Sequence, residues 1–220
     1  RKENEKTYFC VSMLDDSGEK ALVIFPTSTI FPKPEDISSD MIKNAKLLHT
    51  TGLNAETTFK AFDFAKRENI LRSLDLEPST LVQGEALGWK LISQTDILFI
   101  NTHASKCLFP EIKDSEKVGQ KLLELGPKTV ILTKGEFGST VVTHDQVVNS
   151  QAFQVDVVDS TGAGDCFNAA FIHGYLKGWP LKQVSKFANA AAAISITKIG
   201  AQSAQPTEGE VFTFLQTHGS

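Results

Sequence analysis

The run Val157-Val158-Asp159-Ser160-Thr161-Gly162-Ala163-Gly164-Asp165-Cys166-Phe167 is the stretch of this chain best suited to chemistry. It opens as a β-branched segment, passes through small residues and enters a helix of apolar periodicity. Gly162, Ala163 and Gly164 let the backbone come close to a ligand, while the first helical turn offers unpaired N–H groups at the positive end of its dipole. Such a turn holds an anion without any cation. Asp165 is the odd residue there, because a carboxylate repels a phosphate. It has two readings: a helix-start acid satisfying a first-turn N–H, or a base that takes a proton from an attacking hydroxyl while adjacent amides stabilise a transferred phosphoryl group. Two other glycine-rich chemistries fail. No GxxxxGK[ST] occurs, and a GxGxxG fingerprint would need glycine where Phe167 stands.

The elements that must position this turn read as an alternating pattern. Thr7 to Met13 and Ala21 to Phe25 are short β-favouring runs on either side of Asp15-Asp16-Ser17-Gly18, which suits a hairpin. Pro32, Pro34 and the pair Glu35-Asp36 look like the entry to a helix through about Asn44. Strands are expected at Lys46 to Thr51, Ile70 to Leu76, Asp96 to Ile100 and Thr129 to Thr133, with helices at Ala55 to Glu68, Leu81 to Ser93 and Ser115 to Leu125. Repeated strand, helix, strand units imply a mainly parallel sheet with helices on both faces, and such sheets bind ligands at the carboxyl ends of their strands. Further on, Ser139 to Thr143 and Val155 to Val158 are possible strands, with Val147 to Asn149 a weaker one. Three helices follow, at about Gly164 to Lys177, Leu181 to Thr197 and Thr207 to Thr217. The middle helix contains Ala188-Asn189-Ala190-Ala191-Ala192-Ala193, small enough for a neighbouring helix or a planar ligand to approach. Asp75 ends its strand where ligands gather, yet a turn acid is an equal reading.

Composition narrows the partners. With 22 Lys+Arg against 26 Asp+Glu the net charge is -4, so no global positive field collects nucleic acid or anionic membrane. Any anion must be held locally. The 3 cysteines are far apart with no CxxC pair, which suits a reducing compartment, and the 5 histidines show no metal-ligand spacing. No apolar run reaches the ~18 residues of a membrane span and the start is not a signal peptide, so a cytoplasmic location is expected. The 220 residues suit one domain.

Asp159-Ser160-Thr161-Gly162-Ala163-Gly164-Asp165 resembles the D-T-x-G-A-G-D signature of the PfkB (ribokinase-like) carbohydrate kinases, with Ser for Thr at the second position. Downstream, Ala188 to Ala193 and Thr197-Lys198-Ile199-Gly200-Ala201 are similar to that family's closing helix and the loop after it. Upstream, Leu132-Thr133-Lys134-Gly135-Glu136-Phe137-Gly138 resembles its T-x-G-x-x-G nucleotide loop. The resemblance implies a ribokinase-like α/β fold over 1–220 with a small β lid at about 7–25. It implies an ATP-dependent, Mg²⁺-using kinase that phosphorylates a hydroxyl of a sugar or nucleoside-like compound. By that resemblance Asp165 is the catalytic base, and the amides of Gly162, Ala163, Gly164 and Asp165 form the anion hole. Thr133, Gly135 and Gly138 line the ATP site, with Asn189 near the adenine. A monovalent cation such as K⁺ would sit by Asp159, Thr161, Ser195, Lys198 and Gly200, mostly on backbone carbonyls; Ala204 stands where some relatives place a serine.

Two departures are visible. Relatives often carry N-x-x-E after a central strand, whose Glu helps hold magnesium through water. Here Asn101 is present but Ala104 replaces the Glu, and Glu111 is either a substitute or a solvated loop acid. The family's Gly-Gly sugar motif and first strands are not found before Thr7, so either the 220 residues belong to a longer polypeptide or another chain covers the gap. Lid strands could also pair across a homodimer. The alternative function is a non-catalytic nucleotide or sugar binder on the same scaffold, and a more distant one is a dehydrogenase-like α/β domain in which the signature is coincidental.

Overall fold

The computed structural model describes residues 9–14, 20–25, 31–82 and 84–218. Its centre is a six-stranded sheet whose order follows the chain. Strand β3 (Leu47–Thr50) leads through α1 (Ala55–Arg67) to β4 (Leu71–Leu76), then through α2 (Pro78–Val82) and α3 (Glu85–Ser93) to β5 (Ile97–Asn101). Helices α4 (Thr102–Leu108) and α5 (Ser115–Leu123) connect β5 to β6 (Thr129–Thr133), and β3 to β6 run parallel. β7 (Ser139–Thr143) and β8 (Val147–Ser150) continue the sheet antiparallel. The chain then passes into α6 (Ala163–Leu176), α7 (Leu181–Ser195) and α8 (Glu208–His218). Before the sheet, β1 (Phe9–Leu14) and β2 (Lys20–Phe25) form an antiparallel hairpin; its turn, Asp15 to Gly18, and Thr7 lie outside the described residues.

Side-chain alternation explains why helices cover both faces. Leu74, Leu76, Leu98, Ile100, Val130 and Leu132 point one way, against Phe62, Leu91, Val118 and Leu122 from α1, α3 and α5. Ile97, Phe99, Ile131 and Val141 point the other way, against Phe167 and Phe171 of α6 and Val184 and Ala188 of α7. Successive strand residues face opposite sides, so a run such as Ile97-Leu98-Phe99-Ile100 must be apolar throughout. The alanine-rich part of α7 packs on its neighbours: Ala190 and Ala191 cluster with Cys166 of α6 and Val211 of α8. Helices, then, fill the space those small side chains leave.

At the amino ends of the strands Asp96 fastens the sheet. It accepts the backbone amide and Nε of Arg72 at 3.0 and 2.9 Å and lies 3.4 Å from Lys128 Nζ. Burial alone would raise the Asp96 carboxyl, but the hydrogen bonds and charge of Arg72, with Lys128 behind them, hold it below the usual carboxylate range.

Four local expectations change. The helix expected from Pro34 to Asn44 is two short 3₁₀ turns, Pro34–Asp36 and Ser39–Met41. Asp36 accepts the Lys33 amide at 2.9 Å and closes the first turn, after which Ile37 returns to extended backbone. Only Ile42 is buried nearby, too small an apolar face to propagate a helix. The helix expected from Leu81 to Ser93 is split into α2 and α3 beside Gly84, whose φ of 131° no helix accommodates. Val155 to Val158 form no strand; Val158 and Asp159 instead donate their amides to the carbonyl of Ile196, beyond α7. Helix α4 was not expected. Asn101 caps it, accepting the Ala104 amide at 2.8 Å, so the strand ends where the helix begins.

Candidate active site

The glycine turn read from the sequence is formed at the start of α6, although no strand leads into it. Gly162 is the residue before the helix and has left-handed backbone, φ 80° and ψ 4°. A Cβ there would stand 3.0 Å from the Ala201 carbonyl, so glycine serves both the turn and the close approach of the next loop. The Ala163 amide donates to the Ser160 carbonyl at 3.2 Å. Among the described residues no acceptor is assigned to the amides of Gly162, Gly164 and Asp165, and a Cβ placed on Gly164 would meet open space. Asp165 is exposed in the first turn, while Cys166 and Phe167 beside it are buried. The turn therefore presents three free donors and one carboxylate to solvent.

Asp159 shapes this turn. Its Oδ1 accepts the Thr161 amide at 2.9 Å and the Thr161 hydroxyl at 2.6 Å, and its Oδ2 accepts the Gly200 amide at 2.9 Å. One carboxylate thus clamps the glycine turn to the loop after α7. Of the residues expected around a monovalent cation, Asp159, Thr161 and Gly200 are brought together. Ser195 is buried with its hydroxyl on the Ala192 carbonyl, and Lys198 is exposed. Both Asp159 oxygens already accept protein hydrogen bonds.

The second group lies at the carboxyl ends of β5 and β6. Strand register sets Asn101 beside Thr133, and the Thr102 hydroxyl donates to the Thr133 carbonyl at 3.3 Å. Gly135 lies in the short turn Gly135–Phe137, which Gly138 closes. Gly138 has φ 79°, and a Cβ on it would strike the Ser150 carbonyl at 2.0 Å. The close approach of the chain from Ser150 to Ala152, where β8 ends, requires glycine there. Asn189 lies beneath this loop, buried in α7, its amide nitrogen donating to the Ser139 hydroxyl at 2.8 Å and to the Ser185 carbonyl at 2.9 Å. It supports the first residue of β7.

A third group was only half legible in the sequence. Asp75, at the end of β4, accepts Nδ2 of Asn168 in α6 at 2.7 Å, and Asn101 Nδ2 comes within 3.5 Å of Glu77 Oε2. Burial, then the charge of Glu77, push the Asp75 carboxyl up to about 7; Asp165 adds to this and the Asn168 hydrogen bond opposes it. On β3, His49 bonds the Ser73 hydroxyl at 2.9 Å, and burial lowers its imidazole against the pull of Asp165. Glu77 carried no motif, and the only clue to it was an acid just beyond a strand's carboxyl end. Ala104 is fully buried in the core, and the acid that meets the Asn101 side chain, at 3.5 Å, is Glu77.

A mainly parallel, doubly covered sheet with an anion-ready helix start at its carboxyl edge defines a ribokinase-like α/β protein. The chain matches the model of the pfkB family carbohydrate kinases over residues 1–208, and it belongs to that family. It is similar to 5-dehydro-2-deoxygluconokinase of Geobacillus thermodenitrificans, at 29% identity over 199 residues, 84% of this chain and 59% of that protein. It is similar in structure to a ribokinase of Thermotoga maritima, with a TM-score of 0.79 and 30% identity over 96% of this chain and 70% of that one. An Escherichia coli chain described as a ribokinase II, solved with ATP and Mg²⁺, shares the fold at a TM-score of 0.83 and 23% identity, over 91% of this chain and 69% of that one. The chain thus spans less than two thirds of the first of these relatives. Among the described residues no helix is long and apolar enough to cross a membrane.

Proposed function

We propose that this chain carries the catalytic part of an ATP-dependent carbohydrate kinase, which moves the γ-phosphoryl group of ATP to a hydroxyl of a sugar or nucleoside-like compound. The observation that carries the reading is Asp165: an exposed carboxylate in the same first turn as three amides without acceptors, at the edge where Asn101 and Thr133 also emerge. Family membership and the ATP and Mg²⁺ bound by the E. coli neighbour support the nucleotide and metal.

In this reading the acceptor hydroxyl lies against Asp165, and its oxygen attacks the γ-phosphorus as the bond to the β–γ bridging oxygen breaks. The hydroxyl proton passes to Asp165 and ADP leaves. The amides of Gly162, Gly164 and Asp165 face the charge that spreads over the transferred group, and they are fixed beforehand by the Gly162 turn and the Asp159 clamp. Thr133, Gly135 and Gly138 form the wall on which the nucleotide lies, and Asn189 holds that wall from below. Asn101 and Glu77 would hold a magnesium ion through water, and that ion would supply neutralisation of the phosphate charge. The backbone carbonyls around Asp159, Thr161, Ser195, Lys198 and Gly200 would hold a monovalent cation next to the turn.

Asp165→Asn is the direct test, made in the natural polypeptide that contains these residues. Turnover, followed as ADP released with D-ribose, D-fructose, 2-keto-3-deoxygluconate or adenosine as acceptor, should fall about 10²–10⁴-fold, with ATP binding by calorimetry nearly unchanged. Unchanged turnover removes Asp165 as base. Ligand binding with no ADP release from the unsubstituted protein makes it a binder instead.

A further inference from the structure

Helix α6 carries both the turn that receives the phosphoryl group and, one turn further on, Asn168. Residues three apart in a helix share a face, so Asp165 and Asn168 look toward the same part of the sheet. Under that face the contacts are mostly aromatic: Phe171 meets Phe99 edge-on at 5.5 Å, and Phe167 stacks on Phe171 at 6.2 Å. Apolar contact fixes how far α6 stands from the sheet, but being non-directional it says little about the helix's roll around its own axis. A hydrogen bond is directional. Among the described residues, the bond from Asn168 Nδ2 to Asp75 Oδ2, 2.7 Å long and spanning 93 positions, is the one side-chain hydrogen bond from α6 to the sheet.

Asp75 is an expensive residue for this place. It is partly buried, which costs a carboxylate its water, and the acids Glu77 and Asp165 both repel it. An apolar residue of similar volume would fill the position without that cost, so packing alone does not account for a carboxylate here. What it does there is hold Asn168, the directional side-chain contact between α6 and the sheet.

We propose that Asp75 is a positioning residue for phosphoryl transfer, which by accepting the Asn168 amide fixes the roll of α6 and so the place of the Asp165 carboxylate. The inference rests on the kinase reading given above. The geometry sets its scale: a carboxylate about 5 Å from a helix axis moves about 1 Å for a roll of about 10°. A misplacement of about 1 Å is enough to cost on the order of 10²-fold in rate. The bond needs only an acceptor oxygen at residue 75, so asparagine should replace aspartate there and alanine should not.

The test compares Asp75→Ala, Asp75→Asn, Asn168→Ala and the Asp75→Ala/Asn168→Ala double variant, in the natural polypeptide and with the same acceptor panel. Asp75→Ala should lower kcat about 10–100-fold with the KM for ATP nearly unchanged, and Asp75→Asn should recover most of the loss. Asn168→Ala should match Asp75→Ala, with the double variant little worse than either. Should Asp75→Ala fail to fold, as judged by its thermal transition, Asn168→Ala carries the same comparison with every acid in place. Equal loss in Asp75→Ala and Asp75→Asn, additive losses in the double variant, or kcat values at the unsubstituted level in Asp75→Ala would each overturn the inference. The kinase reading fails separately: it falls if the unsubstituted protein releases no ADP with any acceptor, or if Asp165→Asn is as active as its parent.

Discussion

Just before β5, Asp96 receives the backbone amide and Nε of Arg72 and faces Lys128 across 3.4 Å. At the other end of the sheet, closing β4, Asp75 has one neutral donor, Asn168, and two acids, Glu77 and Asp165, acting on it. The first carboxyl is held below its ordinary range and the second is pushed up to about 7. Strand direction accounts for the division. At the amino edge the charges are paired off as fasteners. In the kinase reading proposed above, the carboxyl edge is the one that leaves donors and acids for a substrate, and there repulsion collects. Perturbation alone does not mark function; its sign and its partners do.

The largest way to sharpen this contrast is pH. Asp75 is raised in the folded state from 3.8 to about 7, so between those values the folded chain keeps a proton that the unfolded chain has released. Its contribution is therefore fully favourable below about pH 4 and is lost as pH rises toward 7, by at most on the order of 4 kcal/mol. Asp75→Asn, measured by urea unfolding without added metal, should gain on its parent progressively from about pH 4 to about pH 7 and level off above it. The lowered His49 acts in the opposite direction, favouring folding as pH rises through 6.5, but it is common to both proteins and cancels in the difference. A pH-independent gap between the two would dissolve the contrast at the Asp75 end.

Asp96 should show the reverse. Its folded value is lowered, so its stabilisation is present above the unfolded value of 3.8 and disappears as pH falls through the folded one. Asp96→Ala leaves the Arg72 side chain without its partner and should cost about 3 kcal/mol, or roughly 6–12 °C in melting temperature. The KM for ATP should not move, since the substitution is at the far edge from Thr133. A variant that melts like its parent would mean that the sheet's amino edge does not depend on this pair.

What the sequence disclosed follows the range of the interactions involved. Ile97-Leu98-Phe99-Ile100 declared a strand buried on both faces because only such a strand tolerates four apolar residues in a row. Gly162 and Gly164 before an apolar-periodic helix declared the anion turn for an equally local reason. Local signals also misled. Pro34 and its acids opened a helix that lacked an apolar face to continue it, and Val155 to Val158 had strand residues but no strand to join. Asn101 reads as the residue after a strand, yet it is the last residue of β5 and its side chain caps α4. Contacts far apart in sequence left no trace at all: Asn168 meets Asp75 across 93 positions, and nothing near Glu77 announces Asn101. The candidate base could be read from one stretch of chain, whereas its support could not.

The smallest expected effect decides which cation does the fastening. Lys128 Nζ is 3.4 Å from Asp96 Oδ1 and its side chain is 72% exposed, while Arg72 is 18% exposed and bonds Asp96 through two groups. An exposed ammonium at that distance is screened by water and salt, and ordering its long side chain offsets much of the attraction. Lys128→Ala should therefore cost about 0.2–1 kcal/mol by urea unfolding at low salt, and the difference from the parent should shrink further in about 0.5 M NaCl. A loss as large as that of Asp96→Ala would mean that Asp96 needs both cations. The amino edge would then be a charge network rather than a single Arg72 clasp, and the contrast with Asp75 would rest on the number of cations rather than on burial and hydrogen-bond geometry.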